Sequence, residues 1–423
     1  MSASFRFLLW CVLLLTTACG SSDDGRETLR FWAMGREGEV VAELIPEFER
    51  LNPDIRVEVQ QIPWTSAHEK LVTGFAGDAT PDVAQLGSSW VPELVALGAL
   101  EPLDARLSAS RIVRGEDYFV GPWRGNVIDR RTWGVPWYAD TRLLFYRSDL
   151  LREAGFAAPP QDWGEWLRAM RAIKARGGPG NYAILLPLNE YEPLLALALQ
   201  QPEPLLRDGD RFGNFRSAGF RRASDFYLGL FREGLAPRVT NTQSSNLYDE
   251  FARGYFAFYI SGPWNMGEFR RRLPPERQDD WMTAPLPGPD GPGASIAGGS
   301  SLAIFARSRH KAAAWRFIEY LSRADIQLRF FELTGDLPPR RSAWTHPVLA
   351  RDRYAAAFRD QLERAVAPPA VPEWERIGQQ MRIVGERAVA GQLSAEQLRA
   401  TLDADTDRIL QRRRSLLART ASR

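Results

Sequence analysis

The stretch "TLRFWAMGREGEVVAELIPEFERLNPDIRVEVQQI", residues 28–62, decides the fold class. Residues 28–34 read as a strand. In the segment that follows, Val40, Val41, Leu44, Ile45, Phe48 and Leu51 fall on one helical face. Asn52-Pro53-Asp54 stops that helix, because Pro cannot continue it and Asn and Asp favour turns. Ile55, Val57 and Val59 then alternate with Arg56, Glu58 and Gln60, the period of a second strand. Strand, helix and strand at this spacing predict a parallel pair joined by a crossover. The unit recurs at once. Ser66 and Glu69 stand in capping-box spacing and predict a helix to about Phe75. Residues 81–86 read as a short buried strand, and "VPELVALG" as a helix stopped by Gly98. The first hundred residues are therefore α/β.

Further along, the style changes. "TWGVPWYADTRLLFYRSDLL", residues 132–151, is one long extended run, as expected of a single strand crossing between two bodies. Asp162, with Glu165 three residues on and glycines at the end, marks a complete helix. Residues 301–306 read as a second crossing strand. From residue 373 the chain reads helical, with Ser394 and Gln397 as another capping box.

Composition excludes several function classes. The 423 residues carry 54 basic and 52 acidic side chains, a formal net charge of +2. That balance argues against a nucleic-acid partner, which needs a concentrated basic surface. Cys11 and Cys19 are the only cysteines, so the remaining chain can hold no disulfide, zinc–thiolate site or thiol nucleophile. His68, His310 and His346 are scattered and show no metal-binding spacing. There is no phosphate loop, no GxGxxG and no GxSxG elbow. No catalytic residue, metal or cofactor is expected.

The N-terminus carries an address. Arg6 precedes an apolar run from Phe7 to Leu15, too short to span a bilayer and suited to a secretory signal. "LLTTACG" resembles a bacterial lipoprotein box, which implies lipidation of Cys19 after cleavage at 18; the alternative is an ordinary signal peptide with an incidental cysteine. "GSSDDGRE" reads as a polar tether. The protein is thus expected to be exported and anchored by lipid to the outer face of the membrane.

Tryptophans recur at chain breaks: Trp32, Trp64 and Trp90 near the first three strands, Trp137 in the crossing run, and Trp264 directly after Gly262-Pro263. In open α/β sheets ligands gather at the carboxyl ends of strands. A sugar ring offers an apolar C–H face to an aromatic and a hydroxyl rim to polar side chains. Glu37, Asp140, Asn189, Glu192 and Arg340 are suitable neighbours.

The segments "FERLNPDIRVEV", "TPDVAQLGSSWVPELVALGALEPLD", "GVPWYADTRLLFYRSDLLREAG", "ISGPW", "IAGGSSLAIFARSRHKAAAWRFIEYL" and "LPPRRSAW" occur in this order along the chain. In that arrangement the sequence resembles the extracellular solute-binding proteins of bacterial carbohydrate ABC importers, the maltose/trehalose type. The resemblance implies a periplasmic-binding-protein fold of two α/β lobes joined by crossing hinge strands. Residues 28–137 and 301–337 would form one lobe, and 138–300 and 338–423 the other. It further implies a sugar closed between the lobes and delivery to a membrane permease pair with its ATPase by a monomeric binding protein. Glu37, Tyr138, Asp140 and Arg340 would hydrogen-bond the sugar, and Trp264 would stack on it. The backbone of Gly298, Gly299 and Ser300 would face it. Trp64 and Glu192 complete the expected ligand-binding set. Gly87 and Ser300 stand where some trehalose/maltose binders carry Asp and Trp, which leaves the disaccharide open. A non-sugar solute, such as glycerol phosphate or a polyamine, and a secreted glycoside hydrolase are the competing readings.

Overall fold

The computed structural model describes residues 25–241 and 246–421. The expected signal segment and Cys19 lie outside the described residues. β1 (Glu27–Met34) and β2 (Ile55–Ile62) pair in parallel, Leu29 opposite Val57 and Phe31 opposite Val59. β1 also pairs with β3 (Val83–Gly87) in parallel. The opening stretch is thus the expected βαβ unit. Its helix is not continuous. It runs Gly35–Val40, passes through a 3-10 turn at Val41–Glu43, and restarts at Ile45–Leu51. Pro46 explains the restart: it has no N–H to donate, and its ring clashes with the preceding turn. Val40, Val41, Leu44 and Phe48 stay buried, but the break rotates Leu51 outward to 47% exposure.

A second departure lies at Ser66. The next helix spans Trp64–Ala76, so Ser66 is already inside it and its Oγ donates to the Pro63 carbonyl. The box predicted with Glu69 does not form. Asp162 and Ser394 do cap their helices as predicted, Asp162 Oδ1 accepting from the Glu165 N–H at 2.8 Å and Ser394 forming the reciprocal box with Gln397.

The long run at 132–151 is two strands, not one. β4 (Val135–Asp140) is the edge of the first sheet, and β5 (Leu143–Arg147) lies in a second. Thr141 and Arg142 pass between them. The second sheet adds β6 (Ile184–Leu185), β7 (Phe258–Ser261) and β8 (Trp281–Ala284), in the order β8-β5-β7-β6. The chain then returns through β9 (Gly298–Ile304), which inserts antiparallel between β3 and β4. The first sheet therefore reads β2-β1-β3-β9-β4. A third segment crosses at residues 337–340: Leu337 bridges Ala139 and Arg340 bridges Tyr118.

Each sheet has its own apolar core. Beside the first, Phe31, Phe48 and Phe317 meet edge to face and Trp137 stacks on Phe330 at 4.5 Å. Beside the second, Phe145 stacks on Phe269, and Trp281 on Tyr354 at 3.8 Å. Burying each such ring contributes about 1.5–3 kcal/mol. The result is a two-lobe periplasmic-binding-protein fold with a deep cleft over the crossing segments.

Candidate functional site

The cleft encloses about 880 Å³, within the usual span of ligand sites, about 300–1,000 Å³. One wall comes from the first lobe. Glu37, in the short helix after β1, and Trp64, in the helix after β2, both reach it. The floor is built by the crossing segments, with Tyr138 and Asp140 at the end of β4 and Gly298 and Gly299 at the start of β9. The opposite wall carries Glu192 and Trp264, each at the first turn of a helix.

Tyr138 is the centre of a buried hydrogen-bond chain. Its hydroxyl donates to Glu37 Oε1 at 2.7 Å and lies 3.0 Å from Ser300 Oγ, which donates to it. Gln85 Nε2 donates to Ser300 Oγ at 3.1 Å, and Gln85 Oε1 accepts from the Met34 N–H. Burial and the adjacent Glu37 carboxylate push the Tyr138 phenol well above its ordinary range, so it remains a donor. Trp64 Nε1–H donates to the other Glu37 oxygen at 3.4 Å.

Four aromatics of the cleft sit on glycines. Trp64 packs on Gly35, where a Cβ would come within 2.7 Å of Cδ1, and Trp90 on Gly87 at 3.1 Å. Tyr191 packs on Gly378, where a Cβ would lie 2.7 Å from Cζ. Trp264 folds back over Gly262 in the same manner and stays 40% exposed, which settles it as a cleft surface rather than a core residue. At the floor, Gly299 has φ +109°, a conformation other residues resist, and any Cβ there would strike the Tyr138 carbonyl oxygen. Its own carbonyl accepts from Ser88 Oγ at 2.9 Å.

The charges are unbalanced toward acid. Arg142 lies over the Trp264 ring, 4.4 Å from its centroid, and 3.7 Å from Glu192. Burial alone would lower its pKa, but Asp140, Glu192 and Glu190 outweigh burial and hold it firmly charged. Burial raises the Asp140 carboxyl, Arg142 opposes the shift and Glu192 adds to it. Burial likewise raises Glu190.

Eight of the ten expected ligand-binding residues line the cleft; Ser300 and Arg340 do not. Ser300 stands behind Tyr138 and orients it. Arg340 is turned away: its Nε donates to Asp117 at 2.7 Å and its Nη1 to the Ser322 carbonyl at 2.6 Å. Asn189 is occupied by the Asn241 N–H. Trp32, in β1, lies under Lys70, and Trp137 is buried. Sequence reasoning missed Arg142, Tyr191 and Asp336 as lining residues. The Gly335 helix stop before Asp336 was the available signal, since Gly335 caps its helix at φ +84°.

The sequence profile of the bacterial extracellular solute-binding proteins matches residues 34–328. Among solved structures, the sugar-binding protein MalE from the phytopathogen Xanthomonas citri is 56% identical, with a TM-score of 0.91 over 92% of this chain and 99% of that one. An uncharacterised lipoprotein of Streptomyces antibioticus is 28% identical over 398 residues, 89% of this chain and 86% of that one. The diacetylchitobiose-binding protein DasA of Streptomyces coelicolor is 23% identical over 385 residues, 86% of this chain and 88% of that one. With the profile spanning most of the two lobes and the cleft between them, the chain belongs to the family of bacterial extracellular solute-binding proteins.

Proposed function

We propose that the chain is the extracytoplasmic binding component of a carbohydrate ABC importer, taking a di- or oligosaccharide into the cleft. The observation that carries this reading is the exposed Trp264 indole on one wall facing a cleft whose other side presents the Tyr138–Glu37 pair. An aromatic surface suits the C–H face of a sugar, and carboxylates suit its hydroxyls. The 56% identity to a sugar-binding protein supports it. The lobes close on the sugar by bending at the crossing segments. The protein then presents it to a permease pair driven by a cytoplasmic ATPase, and itself performs no covalent chemistry. Cys19 carries the lipid anchor, and the chain acts as a monomer.

A thermal-shift panel tests the ligand class, because a ligand that binds only the folded state raises the melting temperature. Maltose, trehalose or maltotetraose should stabilise the protein, and glycerol 3-phosphate and spermidine should not. The opposite pattern would overturn the reading. For the anchor, Cys19→Ser should release the protein from membranes in a fractionation; retention would rule the anchor out.

A further inference from the structure

The crossing segments set two aspartates at opposed positions on the cleft floor. Leu337 forms an antiparallel bridge with Ala139, so one step along the same register Asp336 stands opposite Asp140. On the other side of Asp140, β9 places Gly298. Residues directly opposite one another on antiparallel segments send their side chains to the same side. Both aspartates line the cleft, and Gly298, flanking Asp140 on its other side, has no side chain to cover it. The position of Asp336 is fixed from behind. Gly335 turns the chain out of the helix Ala324–Thr334, and the Asp336 N–H donates to Thr334 Oγ1 at 3.0 Å.

Several donors of the cleft are committed to protein. The Tyr138 hydroxyl and Trp64 Nε1–H both serve Glu37, and Ser88 Oγ serves the Gly299 carbonyl. Arg36 pairs with Glu39, and Arg142 lies between Trp264 and Glu192. Meanwhile acceptors are abundant, and Asp140 Oδ1 is buried without a hydrogen-bond partner among the described residues. Ionised carboxylates only accept. At the floor, beside Asp140, a protonated carboxyl would add a donor to the Thr141 hydroxyl and Trp374 Nε1–H, which line the cleft without a protein partner among the described residues.

We propose that Asp336 is a ligand-contacting, specificity-determining residue that donates a hydrogen bond from its carboxyl group to an oxygen of the bound sugar, while Asp140 accepts one. This inference rests on the reading of the cleft as a sugar site. Asp336 stands in register beside Asp140 with Glu37 near both, and like charges oppose its ionisation. Burial raises its pKa well above the carboxylate range, and the Glu37 and Asp140 charges raise it further. The groups around it are Glu37 from the first-lobe helix, Tyr138 and Asp140 from β4, and Thr334 from its own helix; the Arg142 charge acts on Asp140. The donor form exists below the raised pKa and is lost as pH rises through it. Sugar affinity should therefore be greatest on the acid side.

The test is calorimetric titration of the full mature chain with maltose, trehalose and maltotetraose between pH 5.5 and 8.5. Asp336→Asn keeps a donor at the same place, and Asp336→Leu removes it. Asp336→Leu should weaken binding about tenfold at pH 6, the scale of one lost hydrogen bond in a desolvated site. Asp336→Asn should bind within about threefold of the native chain and lose the pH dependence that the native chain shows. If Asp336→Leu does not fold, the pH profile of Asp336→Asn decides alone. Equal affinity in all three proteins, or an unchanged pH profile in Asp336→Asn, overturns this inference and leaves the sugar site standing. Failure of the native chain to bind any of the three sugars overturns both.

Discussion

The six-membered ring of Trp264 occupies the space where a side chain on Gly262 would begin: a Cβ there would lie 2.7 Å from Cε3 and closer still to Cζ3 and Cη2. Gly262-Pro263 is thus more than a chain break. Pro263 opens the helix Trp264–Arg272, and Gly262 leaves the bed in which the indole rests. Gly262→Ala should displace the ring and weaken sugar binding nearly as much as Trp264→Ala. Titration calorimetry reads the affinity, and unchanged affinity in Gly262→Ala would show that the bed is dispensable.

Trp264→Ala itself should weaken sugar binding by about 1–3 kcal/mol, the scale of one large apolar contact. Because the ring is 40% exposed, the melting temperature should change little. A collapsed fold with intact affinity per folded molecule would return Trp264 to the core.

Arg142 offsets Asp140, Glu192 and Glu190 in a partly desolvated wall. Arg142→Met should lower stability at neutral pH by about 1–3 kcal/mol, between the worth of exposed and buried pairs. The deficit should shrink in acid, as the carboxyls it served take up protons. Denaturant melts at pH 5 and pH 7.5 would show this, and an equal deficit at both would argue against it.

Asp336 gives the apo protein its own pH signature. Its folded pKa is raised above the unfolded value. The folded state therefore binds the extra proton, and this contribution is complete below the ordinary carboxylate pKa. It is lost as pH rises through the folded one. Asp336→Asn should melt higher than the native chain above neutrality, with the two converging in acid. Parallel melting curves across pH would contradict the assignment.

Arg340 supplies the complementary case. Its partners are Asp117 and the Ser322 carbonyl, and hydrogen bonds from Ser342 and Arg340 hold the Asp117 carboxyl below its usual range although burial raises it. Arg340→Ala should cost about 1–3 kcal/mol of stability at neutral pH and leave sugar affinity per folded molecule unchanged. Because the Asp117 pKa is lowered, its contribution is present above the unfolded pKa and lost as pH falls through the folded one. A large affinity loss would bring Arg340 back into the site.

The fold was legible where periodicity is local. Ile55, Val57 and Val59 alternate because one face of β2 packs on the core, and Asp162 announces its helix through a bond three residues away. The break at Pro46 was also written in the chain, but the apolar spacing across it masked the change of face that exposes Leu51. At the site, Tyr138, Asp140, Gly298 and Gly299 were legible through the family motifs that carry them, and the structure sets them at the end of β4 and the start of β9. Arg340 was not, since its direction is set by Asp117, 223 residues earlier. Asp336 and Tyr191 escaped for the same reason. Their places depend on Ala139 and Gly378, which no local pattern joins to them.

Gly298, Asp140 and Asp336 form one row across the three crossing segments. With the lobes turning at the crossing segments, as proposed above, atoms on this row travel least and atoms on the walls travel farthest. A ligand resting on Asp140 and Asp336 is held at the fulcrum whether the lobes stand apart or together. Trp64 and Trp264, out on the arms, meet it only over part of that arc. On this reading floor and walls share the binding: the floor holds the solute throughout the arc, and the two indoles add their contact as the jaws shut.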